Sequence, residues 1–262
     1  MRKIGISLIA AIVAALCLSP ATRADTVTEN TNFIDKAYMD LLGRSPSTLE
    51  IAAGLGALGS ETHYQFALSL DTSSEYYQLL AESYFQGLLG RAATPTELSL
   101  ETSLLASSTD ESVQAALAGS AEFFANSGGT NAGFIVALFQ DFLGRSPSGA
   151  EVAFWGSALG TMSRDQVAAL ILGTTEYESD LVKSYYLEFL QRPADPTGLN
   201  FFVSALNGGT LSDEQVIASL IGGDEYFKLA QTTGTTPTPE PGTMVLVGLG
   251  VAAVILLRKQ PG

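Results

Sequence analysis

Four arginines recur on one frame and are the side chains best suited to recognise a ligand: Arg44, Arg91, Arg145 and Arg192, spaced 47, 54 and 47 residues apart. Downstream of each stands a glutamate followed by an aromatic residue, at separations of 31, 31, 31 and 33: Glu75-Tyr76, Glu122-Phe123, Glu176-Tyr177 and Glu225-Tyr226. A planar guanidinium fork matches carboxylate or sulfate, so a row of forks could grip an acidic polysaccharide. The periodicity favours a different role. A residue present in every unit of an array usually serves the unit, and each arginine follows the C-terminal end of a predicted helix, where a cation suits the dipole. The pairs Arg44–Glu75, Arg91–Glu122, Arg145–Glu176 and Arg192–Glu225 are therefore expected to staple the units. Asp40, Asp141 and Glu188, four residues before their arginines, are competing partners; Gly87 takes that place in the second segment.

Other side chains point less clearly to chemistry. His63 is the sole histidine and has no metal-ligand partner spacing; beside Thr62 it is expected to face solvent in the first turn of a helix. Gly54 to Gly59 matches the dinucleotide fingerprint letter for letter, but that motif works only between a strand and a helix, and no strand precedes it. Trp155, Phe201 and Phe202 form a candidate sugar platform, although aromatic residues at helical spacing are more often core. The acidic stretches Asp71 to Glu75 and Asp195 to Asn200 lack the spacing of a dedicated calcium loop, so at most weak calcium binding is expected. No catalytic frame such as G-x-S-x-G or H-E-x-x-H occurs, and the chain is read as non-enzymatic, with no cofactor.

The elements that hold these residues are helical. In every segment apolar residues or tyrosines sit at −11, −10, −7, −6, −3 and −2 from the arginine, a single stripe along a first helix. Three residues after the arginines stand Ser47, Thr94, Ser148 and Asp195, favoured N-cap residues. Glu50, Glu97 and Glu151 complete capping boxes, and Gly198 replaces them in the fourth. The second helix so opened is expected to bury Ile51 and Leu58, Leu98 and Leu105, Val152 and Leu159, Leu199 and Leu206. A third helix opens at Thr62, Thr109, Ser163 and Ser212, with Phe66/Leu70, Val113/Leu117, Val167/Ile171 and Val216/Leu220 facing the core. The longer third spacing is a seven-residue insertion at Asn126 to Asn131, read as a loop. Self-similarity at this period predicts an all-α array of four tandem three-helix repeats of about 50 residues.

The two ends differ from this middle. Met1-Arg2-Lys3, an apolar run from Ile4 to Leu18, and small residues up to Ala24 make a secretory signal peptide, cleaved after Ala24 or, second, Ala21. Cys17, the only cysteine, lies inside it, so disulfides and thiolate metal sites are excluded from the mature chain. Residues 1–24 hold three of the 13 basic residues and no acid, leaving 10 basic against 27 acidic. A surface of charge −17 repels nucleic acid and anionic lipid. At the other end a Thr/Pro-rich stretch leads into Pro239-Glu240-Pro241, an apolar segment from Met244 to Leu257, and Arg258-Lys259. The span between Gly242 and Arg258 would make a helix of about 22 Å, short against a hydrocarbon core near 30 Å.

Pro-Glu-Pro, a short apolar helix and a basic end resemble the PEP-CTERM sorting signal, which a membrane protease-transpeptidase, exosortase, recognises in Gram-negative bacteria that make exopolysaccharide. The repeated Tyr-x-x-Leu-Leu-Gly-Arg-x-Pro with a downstream Glu-Tyr or Glu-Phe resembles domain-of-unknown-function family 4214, found in secreted and surface-layer proteins. Pro95 is displaced in the second segment, and Glu101 stands there in the place of Trp155 and Phe202. These readings divide the chain into a signal peptide (1–24), a leader (25–32), four repeats (33–74, 75–124, 131–175 and 176–230), a linker (231–241) and a C-terminal sorting helix (242–262). The resemblances imply an exported surface or matrix protein, met by signal peptidase and exosortase, tied to the membrane through its C-terminal helix before processing, and binding exopolysaccharide or surface proteins in biofilm or floc. Two alternatives are a calcium- or carbohydrate-binding module with a defined pocket and a self-assembling surface-layer subunit.

Overall fold

A computed structural model describes residues 27–233. The signal peptide, the sorting motif at Pro239, Glu240 and Pro241, and the basic pair Arg258 and Lys259 lie outside the described residues. Every regular element within them is helical. In chain order the α-helices are α1 (Val27–Leu42), α2 (Thr48–Ala57), α3 (His63–Asp71), α4 (Ser74–Tyr84, continued by a π-helical turn Phe85–Leu89), α5 (Pro95–Leu105), α6 (Asp110–Ala118), α7 (Ala121–Asn126), α8 (Asn131–Leu143), α9 (Gly149–Ala158), α10 (Arg164–Leu172), α11 (Thr175–Leu190), α12 (Pro196–Asn207), α13 (Asp213–Ile221) and α14 (Asp224–Thr233). Among the described residues no helix is long and apolar enough to cross a membrane.

Local chemistry sets the boundaries. Ser47, Thr94 and Ser148 accept the backbone N–H of Glu50, Glu97 and Glu151, whose carboxylates reach back to the cap N–H; Asp195 accepts from Gly198. Thr62 with Gln65 repeats the box at α3. A further set of caps precedes the Glu-aromatic pairs: Ser73, Ser120 and Thr174 accept from the N–H of Tyr76, Phe123 and Tyr177. The helices before the arginines end in the left-handed region, at Gly43, Gly90 and Gly144 with φ of 65°, 70° and 62°. The fourth ends on Gln191 at φ 55°, the one non-glycine residue in that region among those described.

The stripe before each arginine is the core. All of its positions are buried except the half-buried Tyr38, and the expected core faces of α3, α6, α10 and α13 are buried with it. The second helices depart from expectation. Of the eight residues in their four core pairs only Leu105 is buried; Ile51, Leu58, Leu98, Val152, Leu159, Leu199 and Leu206 are half-buried, and α9 has no buried residue at all. Burial on α12 falls instead on Phe202, Val203 and Ala205. The insertion splits one helix into α7 and α8, with a turn at residues 127–130.

The described chain forms two compact units. One holds residues 27–72, 185–192 and 214–233, with α1 packed on α2, α3 and α14. The other holds residues 73–184 and 193–213, with α6 against α10 and α8 against α9 as two of its contacts.

Candidate functional site

The arginines sit where the left-handed turn reverses the chain, so each guanidinium folds back over its own helix. It stacks on the aromatic residue six positions earlier: Arg44 on Tyr38 (5.2 Å), Arg91 on Phe85 (5.2 Å), Arg145 on Phe139 (4.9 Å) and Arg192 on Tyr186 (5.1 Å). With one face covered, the fork edge is left for carboxylates. Arg91 Nε and Nη2 donate to Glu122 at 2.6 and 2.8 Å, while Nη1 and Nη2 donate to Glu97 at 3.0 and 2.8 Å. Arg145 divides itself in the same way between Glu176 (Nη2, 2.9 Å) and Glu151 (Nη2, 2.7 Å). Arg192 forks onto Glu225, with Nη2 at 2.8 Å. Arg44 forks onto Glu50 at 3.1 and 2.7 Å, and Glu75 lies half-buried in the first turn of α4.

The second carboxylate, from the capping box, has no counterpart among the expected pairs. Glu97 thus has three partners in one carboxylate: the Thr94 N–H at 2.8 Å and both terminal nitrogens of Arg91. The arginine forks and these backbone donors hold the carboxyls of Glu50, Glu97 and Glu151 down to about 2. Glu122 is lowered by Arg91 in the same direction.

A guanidinium has five N–H donors. In Arg91 the two glutamates take four and the Ala92 carbonyl, 3.0 Å away, takes the fifth; in Arg145 the fifth goes to the Ser146 carbonyl at 3.4 Å. These two forks hold no donor in reserve for a sulfate or uronate. Geometry makes them internal clamps joining the end of one helix to the cap of the next and to the first turn of a later one.

Two clusters of buried polar groups lie elsewhere. In the larger unit, Tyr84 donates to Asp110 at 3.1 Å, and the Gln114 amide donates to the Tyr84 and Tyr177 hydroxyls at 3.4 Å each. Glu178, one residue on, is buried with Oε2 unpartnered; burial first and then the nearby Glu111 charge push its carboxyl up to about 7. Burial also raises the Tyr84 and Tyr177 hydroxyls, helped by Asp110 and Glu111 respectively. In the other unit, Lys36 and Tyr226 both donate to Asp40 Oδ2 at 2.8 Å, and the Lys36 ammonium lies 4.9 Å from the Tyr226 ring centroid. Burial raises Asp40 despite the lowering by Lys36, and burial together with Asp40 raises Glu188 well above its usual range.

Several expected placements are corrected. His63 is half-buried rather than fully solvent-facing: its ring packs 4.3 Å from Phe33 and 4.8 Å from Phe227, and Nε2 lies 3.2 Å from Asn30 Oδ1. Asp71 is the fully buried last residue of α3 rather than part of an open acidic loop. The aromatic trio is divided, because Phe202 is buried, Phe201 and Trp155 are half-buried, and Phe154 is exposed with its ring edge-to-face on Trp155 at 5.0 Å. Gly54 to Gly59 forms the end of α2 and the turn after it; Gly54 is buried, packed so close to α1 that a Cβ there would meet Ile34 Cδ1 at 2.8 Å. Among the described residues no group of three or more His, Cys, Asp or Glu side chains could hold a metal ion.

Sequence reasoning passed over the Tyr84–Asp110 pair, although a signal existed. Tyrosine at −7 and aspartate at the first position of the third helix occur together in segments two and four (Tyr84 and Asp110, Tyr185 and Asp213) and are both absent from segments one and three.

With this geometry in hand, two family models match the chain. The model described as Domain of unknown function (DUF4214) matches residues 113–181 and 171–230, and the PEP-CTERM protein-sorting motif matches residues 237–260. Each of the first two matches contains one complete clamp, Arg145 with Glu151 and Glu176, or Arg192 with Glu225. No curated protein and no solved structure is matched.

Proposed function

We propose that this chain is a non-enzymatic protein of the cell surface or extracellular matrix of a Gram-negative bacterium, exported by its signal peptide and processed by the exosortase system. One observation carries the reading: residues 237–260 match the PEP-CTERM sorting motif, behind a Thr/Pro-rich linker and a folded helical region. The helical region is read as four tandem units presented to exopolysaccharide or other surface proteins in biofilm or floc. A structural role is supported by how the polar side chains are spent. The forks of Arg91 and Arg145 and the cap residues that recur along the chain are all engaged in internal bonds.

Cleavage after residue 241 would leave 8 basic and 27 acidic residues in the segment from Asp25, a charge of −19 that favours a hydrated matrix. The second reading, a carbohydrate-binding face, is favoured by the exposed Phe154 against Trp155, though the buried Phe202 takes no part in it.

Blotting of cell fractions with and without the exosortase gene tests the sorting claim. The expected result is a tail-containing species that accumulates in the inner membrane only when the gene is deleted. An unchanged inner-membrane band in both strains would defeat it.

A further inference from the structure

The last described helix begins like the helices that precede the arginines. α14 opens with Asp224-Glu225-Tyr226, as α4 opens with Ser74-Glu75-Tyr76. Its described part, Asp224–Thr233, packs on α1, nearly the full length of the described chain away. Gln231 Nε2 donates to the Glu29 carbonyl at 3.1 Å, and Asn32 Nδ2 donates to Gln231 Oε1 at 3.0 Å, a contact across 199 residues. Tyr226 donates to Asp40, and the Phe227 ring covers His63 and lies 6.2 Å from Phe33. Just before α14, Gly222 approaches the Tyr64 backbone so closely that a Cβ would meet its nitrogen at 2.6 Å. Glycine is required there by the approach itself.

The unit built on α1 is therefore discontinuous, drawing on residues 27–72, 185–192 and 214–233, whereas the other takes most of its mass from the single stretch 73–184. Long-range closure costs chain entropy before its contacts repay it, and folding slows as contacts become less local. We infer that α14 is a clasp: it closes the α1 unit from the far end of the chain, and this closure is the last step of folding. A polypeptide emerging N-terminus first from a translocation channel then keeps α1 incompletely buried until residues beyond 223 have emerged. That consequence rests on the export reading; the order of folding does not.

Pulse-labelled hydrogen exchange during refolding of the full chain from Asp25, in mild detergent, tests it directly. Amides of α8 are expected to gain protection before those of residues 33–42 in α1. Simultaneous protection, or α1 first, overturns the proposal whatever the fate of the sorting reading. A second arm uses the absence of cysteine after Cys17. With Asn32→Cys and Gln231→Cys joined by a short bismaleimide in the native state, the two ends are already held together, and the lag between α8 and α1 is expected to disappear on refolding. A lag unchanged by the cross-link overturns the clasp as its cause. As an equilibrium measure, Gln231→Ala should speed exchange in the first two turns of α1 by about 3- to 10-fold and leave α8 unchanged; equal acceleration in both, or none, counts against it.

Discussion

Glu178→Gln should stabilise the protein at alkaline pH and do little in acid. Glu178 is 6% exposed in the first turn of α11, and its Oε2 is buried without a partner. Burial, then Glu111, raises its carboxyl from 4.5 to about 7. Because the folded value lies above the unfolded one, the folded state binds the extra proton between these pH values. Stability from this group is complete below the unfolded value and falls as pH rises toward 7, after which the penalty is constant. At about 1.36 kcal/mol per unit, the shift corresponds to an upper bound of about 3 kcal/mol at pH 8. Water reaching the ionised carboxylate reduces this toward about 1 kcal/mol. Glutamine keeps the shape of the protonated acid and removes the charge.

Urea unfolding at pH 5 and pH 8, followed by the fluorescence of Trp155, reads the effect in the right place, since Trp155 is the only tryptophan and belongs to the same unit. The variant should gain about 1–3 kcal/mol at pH 8 and under about 1 kcal/mol at pH 5. Equal differences at both pH values, or a loss at pH 8, would refute the account of Glu178 as a buried, protonated carboxyl.

Four further outcomes follow from the same geometry. The wild-type melting temperature should peak in mild acid: raised Asp40, Glu101 and Glu188 lose stabilisation as pH climbs above the usual carboxylate range, whereas Glu50, Glu97 and Glu151, lowered to about 2, lose theirs progressively as pH falls from the usual carboxylate value of 4.5 toward 2; thermal denaturation between pH 3 and 9 reads the maximum. Gln191→Gly should stabilise by about 1 kcal/mol in urea titration, because Gln191 holds φ 55° where the other three turns have glycine. Leu138→Ala, fully buried in α8, should cost about 2–5 kcal/mol in the same titration. Arg145→Lys should lower the melting temperature by about 2–4 °C, since a lysine cannot reproduce the stack on Phe139 together with forks to Glu151 and Glu176; a melting point unchanged within error would mean the clamp adds nothing to stability.

The stripe before each arginine was legible because burial on one face of a helix imposes its own period, and Phe33, Leu80, Phe134 and Val182 occupy it whatever else the chain does. Caps such as Ser47 and Thr94 were legible for a similar reason, being local chemistry with a fixed three-residue reach. The capping-box glutamates were seen in that role only. Their bonds to the arginines depend on the left-handed turn at Gly43, Gly90 and Gly144, which swings each guanidinium back toward a helix it has just preceded. The second helices were misjudged because a seven-residue spacing of leucines marks one face without saying how deeply that face is covered. His63 illustrates a third limit: its neighbours Phe33 and Phe227 come from the two ends of the described chain, and no local pattern announces a contact of that range.

The placement of the basic side chains narrows what a partner can look like. Lys36 is held by Asp40 and Lys183 by Asp180. The four repeated arginines fork onto glutamates, and Arg164 stacks 4.2 Å from the Phe124 ring while donating to the Gly119 carbonyl. Among the described basic residues only Lys228 has no such partner. An acidic glycan would gain little by pairing with the four repeated arginines, because its carboxylates or sulfates would have to displace intramolecular ones already in bidentate geometry, at a loss on both sides. On the carbohydrate-binding reading, the exposed Phe154 beside Trp155 is the better placed surface for direct glycan contact. On the proposed matrix reading, an anionic polymer would be linked through divalent counterions shared with the excess carboxylates; a chelator would weaken that linkage, whereas direct arginine pairing would fail under salt and ignore the chelator.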